Sequence, residues 1–333
     1  METVSREFSF TGVDNGPIKT TGALQLSRSA RAALLGLARF DLQFVDSDKV
    51  SPDEHALYQL IVAPDLEAQG PYADAVPVRL LAGMRDLNGE WDDRYEGSAT
   101  LGSVAFDGMG QDGIGCHTEG VKVYGWNSGP VTERRVVFLG PNYSRVTPVL
   151  RGFDLHFAYD EDHEIQRIVA RTELVSGASN QAVVEVTAGI RDGSGFWDDQ
   201  YQAYLAFSLL CEQREICQIL QGTAQLTGAD SGPITVKEIF DVPNRSQFQY
   251  LAFLRGFDVG FSSEEPEMGR LIVGVEATLE PSPNQVGVSA TVGIRDADGA
   301  WEEQYYLWEH RLRADRHSTL HGDRSWLTKT IQN

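Results

Sequence analysis

Tryptophan and tyrosine recur together at three places in the chain, in a pattern suited to contacting a sugar. An aromatic ring with a polar tip can stack on the apolar face of a sugar while its hydroxyl group bonds to a sugar hydroxyl. Each tryptophan precedes its tyrosine by four residues, an even step that predicts the same face of a strand. The alternative is that the rings only close the end of a β-sandwich. The pairs are Trp91 and Tyr95, Trp197 and Tyr201, and Trp301 and Tyr305.

Arginine opens an apolar predicted strand at two equivalent places, Arg167 and Arg270. A guanidinium presents donors in a fixed geometry that suits hydroxyl groups. We therefore interpret both arginines as candidate ligand contacts. The alternative is a surface arginine at the end of a strand.

Three aspartates, Asp86, Asp192 and Asp296, begin short turns that end in glycine. These turns resemble the start of a calcium loop. Calcium requires roughly six to eight oxygen ligands, and the glutamate that closes an EF-hand loop is missing here. We therefore predict plain hairpin turns and no cofactor, and keep a weak calcium site at the turns as the alternative.

The sequence gives little support to catalysis. Adjacent carboxylates such as Asp198 and Asp199 point to opposite faces of a strand, so they cannot face each other across a cleft as a glycosidase requires. The sequence contains no phosphate-binding glycine loop, no metal-spaced His/Cys cluster and no nucleophile elbow. Because the same polar and aromatic set recurs three times, we predict multivalent binding and no enzymatic activity. A sugar hydrolase is the least favoured alternative.

The elements that must position these residues come from one module present in three copies. A Gly-x-Arg-Asp signature precedes each tryptophan, a Phe-Asp signature lies before it, and a Gly-Pro signature opens each copy. The same order recurs at a spacing of roughly 105 residues, which is the size of a domain. We predict copies at 1–106, 116–210 and 217–313, with a tail at 314–333.

Each copy is predicted to be all-β. Apolar and small or polar residues alternate before each Gly-x-Arg-Asp signature, as expected for strands with one buried face. Six strands per copy, joined by short turns, indicate a small antiparallel β-sandwich. In the third copy the predicted strands are 219–228, 234–240, 250–261, 269–279, 285–296 and 301–313. Residues 30–37 are predicted to enter a strand.

The composition and net charge limit which classes of partner are expected. The chain has 333 residues, 41% of them apolar, and a formal net charge of −20. An acidic surface repels phosphate backbones and anionic lipids, so we expect neither nucleic-acid binding nor membrane insertion. Without an apolar run of membrane-spanning length or a signal-peptide core, and with only three cysteines, we expect a cytoplasmic protein, or one released without a signal peptide, with reduced thiols.

In the order and spacing of its signatures, each copy resembles the H-type lectins, the snail-agglutinin-like family. The resemblance covers about nine-tenths of the chain. It implies a six-stranded antiparallel β-sandwich that assembles as a trimer and binds sugar, typically N-acetylgalactosamine, at the seams between neighbours.

The resemblance also implies site residues. The family's arginine falls on Arg167 and Arg270, with Gln59 at that place in the first copy. Its tyrosine falls on Tyr95, Tyr201 and Tyr305. Its Trp-His pair falls near Asp86, Asp192 and Asp296, where this sequence has Arg-Asp, with Trp197 and Trp301 further along in the second and third copies.

Three copies in one chain of a family that forms trimers suggest a covalent pseudo-trimer, to which a higher oligomer can be added. Covalent linkage allows each seam to diverge separately. The prediction is thus a multivalent lectin-like protein that binds glycans or glycoconjugates at inter-copy seams. The alternative is a structural or adaptor β-sandwich array in a larger assembly, in which the aromatic residues only pack.

Overall fold

The structure, a computed structural model, describes residues 1–12, 16–45, 57–86, 91, 94–107, 113–126, 129–140, 143–158, 165–178, 180–197, 199–213, 219–220, 223–228, 232–242, 249–261, 268–296, 301, 305–311 and 314–315. These residues form twenty β-strands and no helix, which confirms the all-β prediction. Within these ranges, no helix offers the length and apolarity needed to span a membrane.

Six strands belong to each of the first two copies, and eight to the third copy and its C-terminal extension. The first copy contains β1 (Glu2–Gly12), β2 (Ile18–Gln25), β3 (Ala32–Phe44), β4 (Leu57–Leu66), β5 (Ala75–Asp86) and β6 (Tyr95–Phe106). The second contains β7 (Ile114–Gly125), β8 (Val131–Phe138), β9 (Arg145–Phe157), β10 (Ile165–Ala178), β11 (Gln181–Asp192) and β12 (Tyr201–Glu212). The third contains β13 (Ile219–Leu220), β14 (Thr223–Gly228), β15 (Ile234–Asp241), β16 (Gly256–Phe261), β17 (Met268–Leu279), β18 (Gln285–Asp296), β19 (Tyr305–Arg311) and β20 (Ala314–Asp315).

Alternating sequence produces these strands as expected. Along β11, Val184, Val186, Ala188 and Ile190 are buried, whereas the residues between them are half-buried or, at Gly189, covered by a neighbouring ring. The apolar side chains at every second position therefore form one wall of the core, as period-two alternation requires.

The sheets do not stop at the boundaries between copies. Three six-stranded antiparallel sheets have the orders β1-β6-β3-β17-β18-β15, β2-β5-β4-β9-β12-β7 and β14-β19-β16-β10-β11-β8. Each contains three strands from one copy and three from another, joined at β3–β17, β4–β9 and β10–β16. Joining two copies edge to edge pairs backbone groups that would otherwise be exposed on sheet edges. We call these three joins the β3–β17, β4–β9 and β10–β16 seams.

One phenylalanine from each copy meets the other two at the centre of the molecule. The rings of Phe40, Phe153 and Phe257 lie 5.2–5.3 Å apart, centroid to centroid, and each ring is fully buried. Each precedes the aspartate of the Phe-Asp signature. Since side chains alternate between the two faces of a strand, the phenylalanine enters the shared core while the aspartate lies on the opposite face, at a seam.

The third copy departs from the predicted strand pattern before Phe257. Residues 249–255 are not part of a strand, so β16 is only six residues long. Leu251 and Phe253 instead pack on the first copy, beside Gly102 and Gly36, where a Cβ would approach their side chains within 3 Å. The glycines thus provide the space into which this segment folds.

The outer strands of the second copy extend beyond the predicted bounds 116–210: β7 begins at Ile114 and β12 ends at Glu212. β6 and β12 begin at the tyrosines, Tyr95 and Tyr201, and not at the preceding tryptophans. β20, at the start of the predicted tail, pairs with β13.

Candidate functional site

Each seam joins the aspartate of a Phe-Asp signature to a polar side chain of the neighbouring copy. At the β3–β17 seam, Arg270 donates from Nε to Asp41 Oδ1 at 2.9 Å and from Nη2 to Oδ2 at 2.8 Å. The planar guanidinium therefore forms a bidentate pair that locks the register of the two copies. The sequence prediction identified Arg270, but not the aspartate that it binds.

The β10–β16 seam has the same pair with a second cation. Arg167 donates from Nε and Nη2 to Asp258 Oδ1 and Oδ2 at 2.8 and 2.9 Å, and Arg171 also bonds to Oδ2. Asp258 is only 1% exposed. A buried carboxylate requires such partners, because an unpaired buried charge is strongly unfavourable.

The β4–β9 seam replaces the arginine by an amide. Gln59 Nε2 donates to Asp154 Oδ1 at 2.7 Å, and His156 Nδ1 lies 3.5 Å from the same oxygen. One neutral donor thus takes the place of the bidentate cation. The three seams share a geometry but differ in charge.

The predicted tryptophans lie beside the seam arginines. The guanidinium carbon of Arg167 lies 5.6 Å from the ring centroid of Trp197, and that of Arg270 lies 5.9 Å from the ring of Trp301. Both rings are half-buried. The structure therefore brings together the arginine and tryptophan that the sequence nominated in two copies, and adds the aspartate of the neighbouring copy.

The tyrosines Tyr95 and Tyr201, which the sequence prediction assigned to the ligand, are buried, and their hydroxyl groups bond to the backbone. They are 1% and 2% exposed. Tyr201 Oη accepts from the backbone N of Val131 at 3.1 Å and lies 2.9 Å from the carbonyl oxygen of Gly129, to which it donates. Tyr95 makes the same contacts with Ile18 and Gly16, at 3.0 and 2.9 Å.

The two tyrosines therefore fasten the Gly-Pro signature to the last strand in the first and second copies, which gives a reason for the two signatures to recur together there. Burial raises the pKa of Tyr95 and Tyr201 to about 12. The side chain of Tyr305 lies outside the described residues, and its prediction stays open.

The predicted aspartates occupy one equivalent position, the last residue of β5, β11 and β18, beside a bulge in the neighbouring strand. Asp86 is 3% exposed, whereas Asp192 and Asp296 are half-buried. Asp192 accepts from the backbone N of Ser194 at 3.1 Å and from its hydroxyl group, as a turn-capping aspartate does.

The turns at 87–90 and 297–300 lie outside the described residues. In the part of the chain that is described, no three His, Cys, Asp or Glu side chains come close enough to hold a metal ion together.

An open polar trough of about 440 Å³ lies on the outer surface of the β3–β17 seam. Its lining includes the Arg270–Asp41 pair and Gln43, which donates from Nε2 to Glu96 Oε1 at 2.6 Å. The hydroxyl groups of Ser9, Thr11 and Ser98 also line it. Phe10 borders the trough as well, although its ring belongs to the buried core.

The lining can bond to hydroxyl groups of a ligand. It combines a guanidinium, an amide, two carboxylates and three hydroxyls within one cavity, so it offers both donors and acceptors. One of the hydroxyls, that of Ser98, donates to Glu7 Oε1 at 2.7 Å. Sequence reasoning missed most of these residues, which lie on β1, β3 and β6, because most of them do not recur in the other copies. The one available signal was the recurring Phe-Asp signature, which contains Asp41.

The lining differs between seams because different residues occupy the equivalent outward-facing strand positions. Thr11 pairs with Glu96 in the first copy, and Tyr124 pairs with Gln202 at the equivalent place in the second. Small hydroxyl residues therefore leave the trough open at the β3–β17 seam, where the second copy carries large rings.

Comparison of the chain with models of known protein families, with curated proteins and with solved structures finds no match.

Proposed function

We propose that the protein is a non-enzymatic carbohydrate-binding protein whose ligand occupies the trough at the β3–β17 seam. The observation that carries the proposal is the trough itself, a cavity of about 440 Å³ in which side chains of two copies converge. Its mixture of donors and acceptors matches the hydroxyl groups of a sugar. Glycans or glycoconjugates are the proposed partners.

We also infer that the three sandwiches form an intramolecular pseudo-trimer. Two observations support this inference. Equivalent strand pairings join each copy to both of the others, and the rings of Phe40, Phe153 and Phe257 contact one another. In such an arrangement every seam has a strand from each neighbour, so a seam site depends on two copies at once.

The charge of the trough favours a neutral ligand. Arg270 and Asp41 neutralise each other, and Glu96 remains as an additional carboxylate. The whole chain carries a net charge of −20. Sialylated, sulfated or uronic-acid glycans would be repelled, whereas neutral hexoses would not.

The test is a glycan array followed by calorimetry on the wild type and Arg270→Gln. This variant reproduces the donor that Gln59 provides at the β4–β9 seam, so the fold is expected to persist. Loss of the cation should weaken binding of an array-positive neutral glycan by about tenfold, as for one charge-assisted hydrogen bond. Arg167→Gln is the matched control, because it makes the same change away from the trough and should leave that affinity unchanged.

A second variant tests occupancy without altering the salt bridge. Ser98→Tyr fills the trough with the residue that Tyr204 places at the equivalent position, opposite the seam aspartate. It should abolish binding, whereas Ser5→Tyr, on the exposed face of β1 outside the lining, should not. Equal affinity of wild type and Ser98→Tyr would exclude the trough, and a blank array would exclude the proposed function.

The structural or adaptor function remains the second candidate because of one surface feature. Edge strand β8 exposes Val136 and Phe138, which are 45% and 77% accessible. An apolar edge strand can add a strand from a partner. This second function would replace the first if two results were found together: no glycan binds, and the Phe138→Gln substitution changes the mass of the particle in solution.

A further inference from the structure

The second copy carries an aromatic strip that the trough does not use. We define the strip as Tyr204, Tyr124 and Trp126, with Lys122 between the first two, on the outer face of β7 and β12. Their side chains are 37%, 60% and 64% exposed. Three large exposed rings grouped on one surface indicate an interaction site, since proteins in water rarely expose contiguous apolar patches.

The strip follows the direction of β7. Tyr204 belongs to β12, but its ring lies across β7 at Gly120, where a Cβ would come within 2.0 Å of its Oη. Gly120 therefore provides the space for the ring. Tyr124 continues the row on the same face of β7, because successive side chains of a strand alternate between faces. The exposed Trp126 follows directly after the strand, which ends at Gly125. At about 3.3 Å per residue, the row from position 120 to 126 extends about 20 Å.

The first copy does not carry the strip. Tyr204 lies opposite Asp154 in the ladder, and Ser98 lies opposite Asp41 at the equivalent place. Tyr124 likewise corresponds to Thr11. The same strand positions therefore carry hydroxyl groups at the trough and aromatic rings here, so the fold itself does not require rings at these positions.

Polar groups border the strip on the side of the β4–β9 seam. Gln202 pairs with Tyr124 on the ladder and His156 pairs with Gln202. Beyond them Gln59 bonds to Asp154. Lys122 contributes one positive charge within the row. Amide and imidazole groups beside exposed rings can bond to the hydroxyl groups at the rim of a sugar whose face is stacked on the ring.

We propose that this strip is a second binding site, for an extended, neutral, β-linked glycan chain. A pyranose whose hydroxyl groups are all equatorial presents only C–H bonds on both faces, so successive rings of such a chain can stack on successive aromatic side chains. A linear row of about 20 Å suits a chain of several sugars, whereas the trough suits one or two. The strip therefore binds a ligand of different shape from that of the trough.

The experiment is calorimetry of the full chain with a hexamer of β-1,4-linked glucose. A hexamer of α-1,6-linked mannose is the comparison, because axial oxygens at C1 and C2 interrupt both of its faces. We expect binding of the glucose hexamer only. The variant Tyr124→Thr/Tyr204→Ser, which installs the residues of the first copy, should weaken it by at least about tenfold. Phe138→Gln, which replaces a still more exposed ring by the residue at the equivalent place of the first copy, should not.

The outcomes are distinguishable from those of the trough. Affinity for a trough ligand should be unchanged in Tyr124→Thr/Tyr204→Ser, and affinity for the glucose hexamer should be unchanged in Ser98→Tyr. Failure of the glucose hexamer to bind overturns the inference, as does equal affinity in the double variant. A fall in particle mass on the double substitution, seen by light scattering without any glycan, would show that a second copy of the chain covers the strip, and would also overturn it.

Discussion

The central phenylalanine cluster should make the three copies unfold as one unit. Phe40, Phe153 and Phe257 belong to different copies, yet each ring contacts both others at centroid distances of 5.2–5.3 Å. Replacing one of them therefore removes contacts with two other copies. If the copies were independent domains, the same replacement would weaken only one of three transitions.

The magnitude follows from the two ring contacts. Each edge-to-face or tilted pair contributes about 0.5–1.5 kcal/mol beyond area burial, so Phe153→Leu should lower the free energy of unfolding by about 1–3 kcal/mol. Phe153→Ala also opens a cavity and should cost about 3–5 kcal/mol. Phe8→Leu is the matched control, since Phe8 is buried on edge strand β1 within the first copy.

The assay is guanidinium unfolding followed by far-ultraviolet circular dichroism and by tryptophan fluorescence. Trp91, Trp197 and Trp301 report on one copy each when the other tryptophans are replaced by phenylalanine. We expect coincident midpoints from the three reporters, shifted together by Phe153→Leu. Three separated midpoints, or a shift confined to the Trp197 reporter, would refute the reasoning.

Two further predictions concern buried contacts. Tyr201→Phe should cost about 1–3 kcal/mol, because it leaves the Gly129 carbonyl without its hydroxyl donor. Since burial raises the pKa of Tyr95 and Tyr201 to about 12 from an ordinary value near 10, the folded state retains protons that the unfolded state has lost. Stability of the wild type should therefore fall between about pH 10 and 12, and Tyr201→Phe should flatten that fall in denaturant titrations. Gly36→Val should destabilise the chain, because its Cβ would lie 2.5 Å from the Phe253 ring, and Phe253→Val should restore part of the loss in a double-mutant cycle.

The strands could be predicted from the sequence because alternation is a local signal. Val184, Val186 and Ala188 indicate a half-buried strand whatever lies beyond it, and β11 appears where expected. The continuation of each sheet into the next copy could not be predicted from alternation, since it depends on which edge strands meet. The short β16 was missed for a related reason. Residues 249–255 are apolar enough for a strand, but Leu251 and Phe253 pack beside Gly36 and Gly102 of the first copy instead.

The candidate site was only partly predictable. Arg167 and Arg270 were found because they recur before apolar strands, and the structure places both at seams. Tyr95 and Tyr201 bond to the backbone of the Gly-Pro signature, a role that recurrence alone cannot distinguish from a ligand contact. The residues that make the trough, such as Ser98, do not recur, so a comparison of copies could not detect them.

The differences between the copies are therefore as informative as their similarities. Gly36 of the first copy has no side chain, which leaves room for the Phe253 ring of the third copy beside Val149 of the second. Three identical copies could not pack this way, because three phenylalanines would collide and three glycines would leave a void. A chain that fixes which copy occupies which place can then vary each seam independently. Such a fixed order permits an open polar trough in the first copy, where Ser98 lies, and an aromatic strip in the second, where Tyr204 lies. The two surfaces lie on equivalent pairs of strands, β1 and β6 in one copy and β7 and β12 in the other.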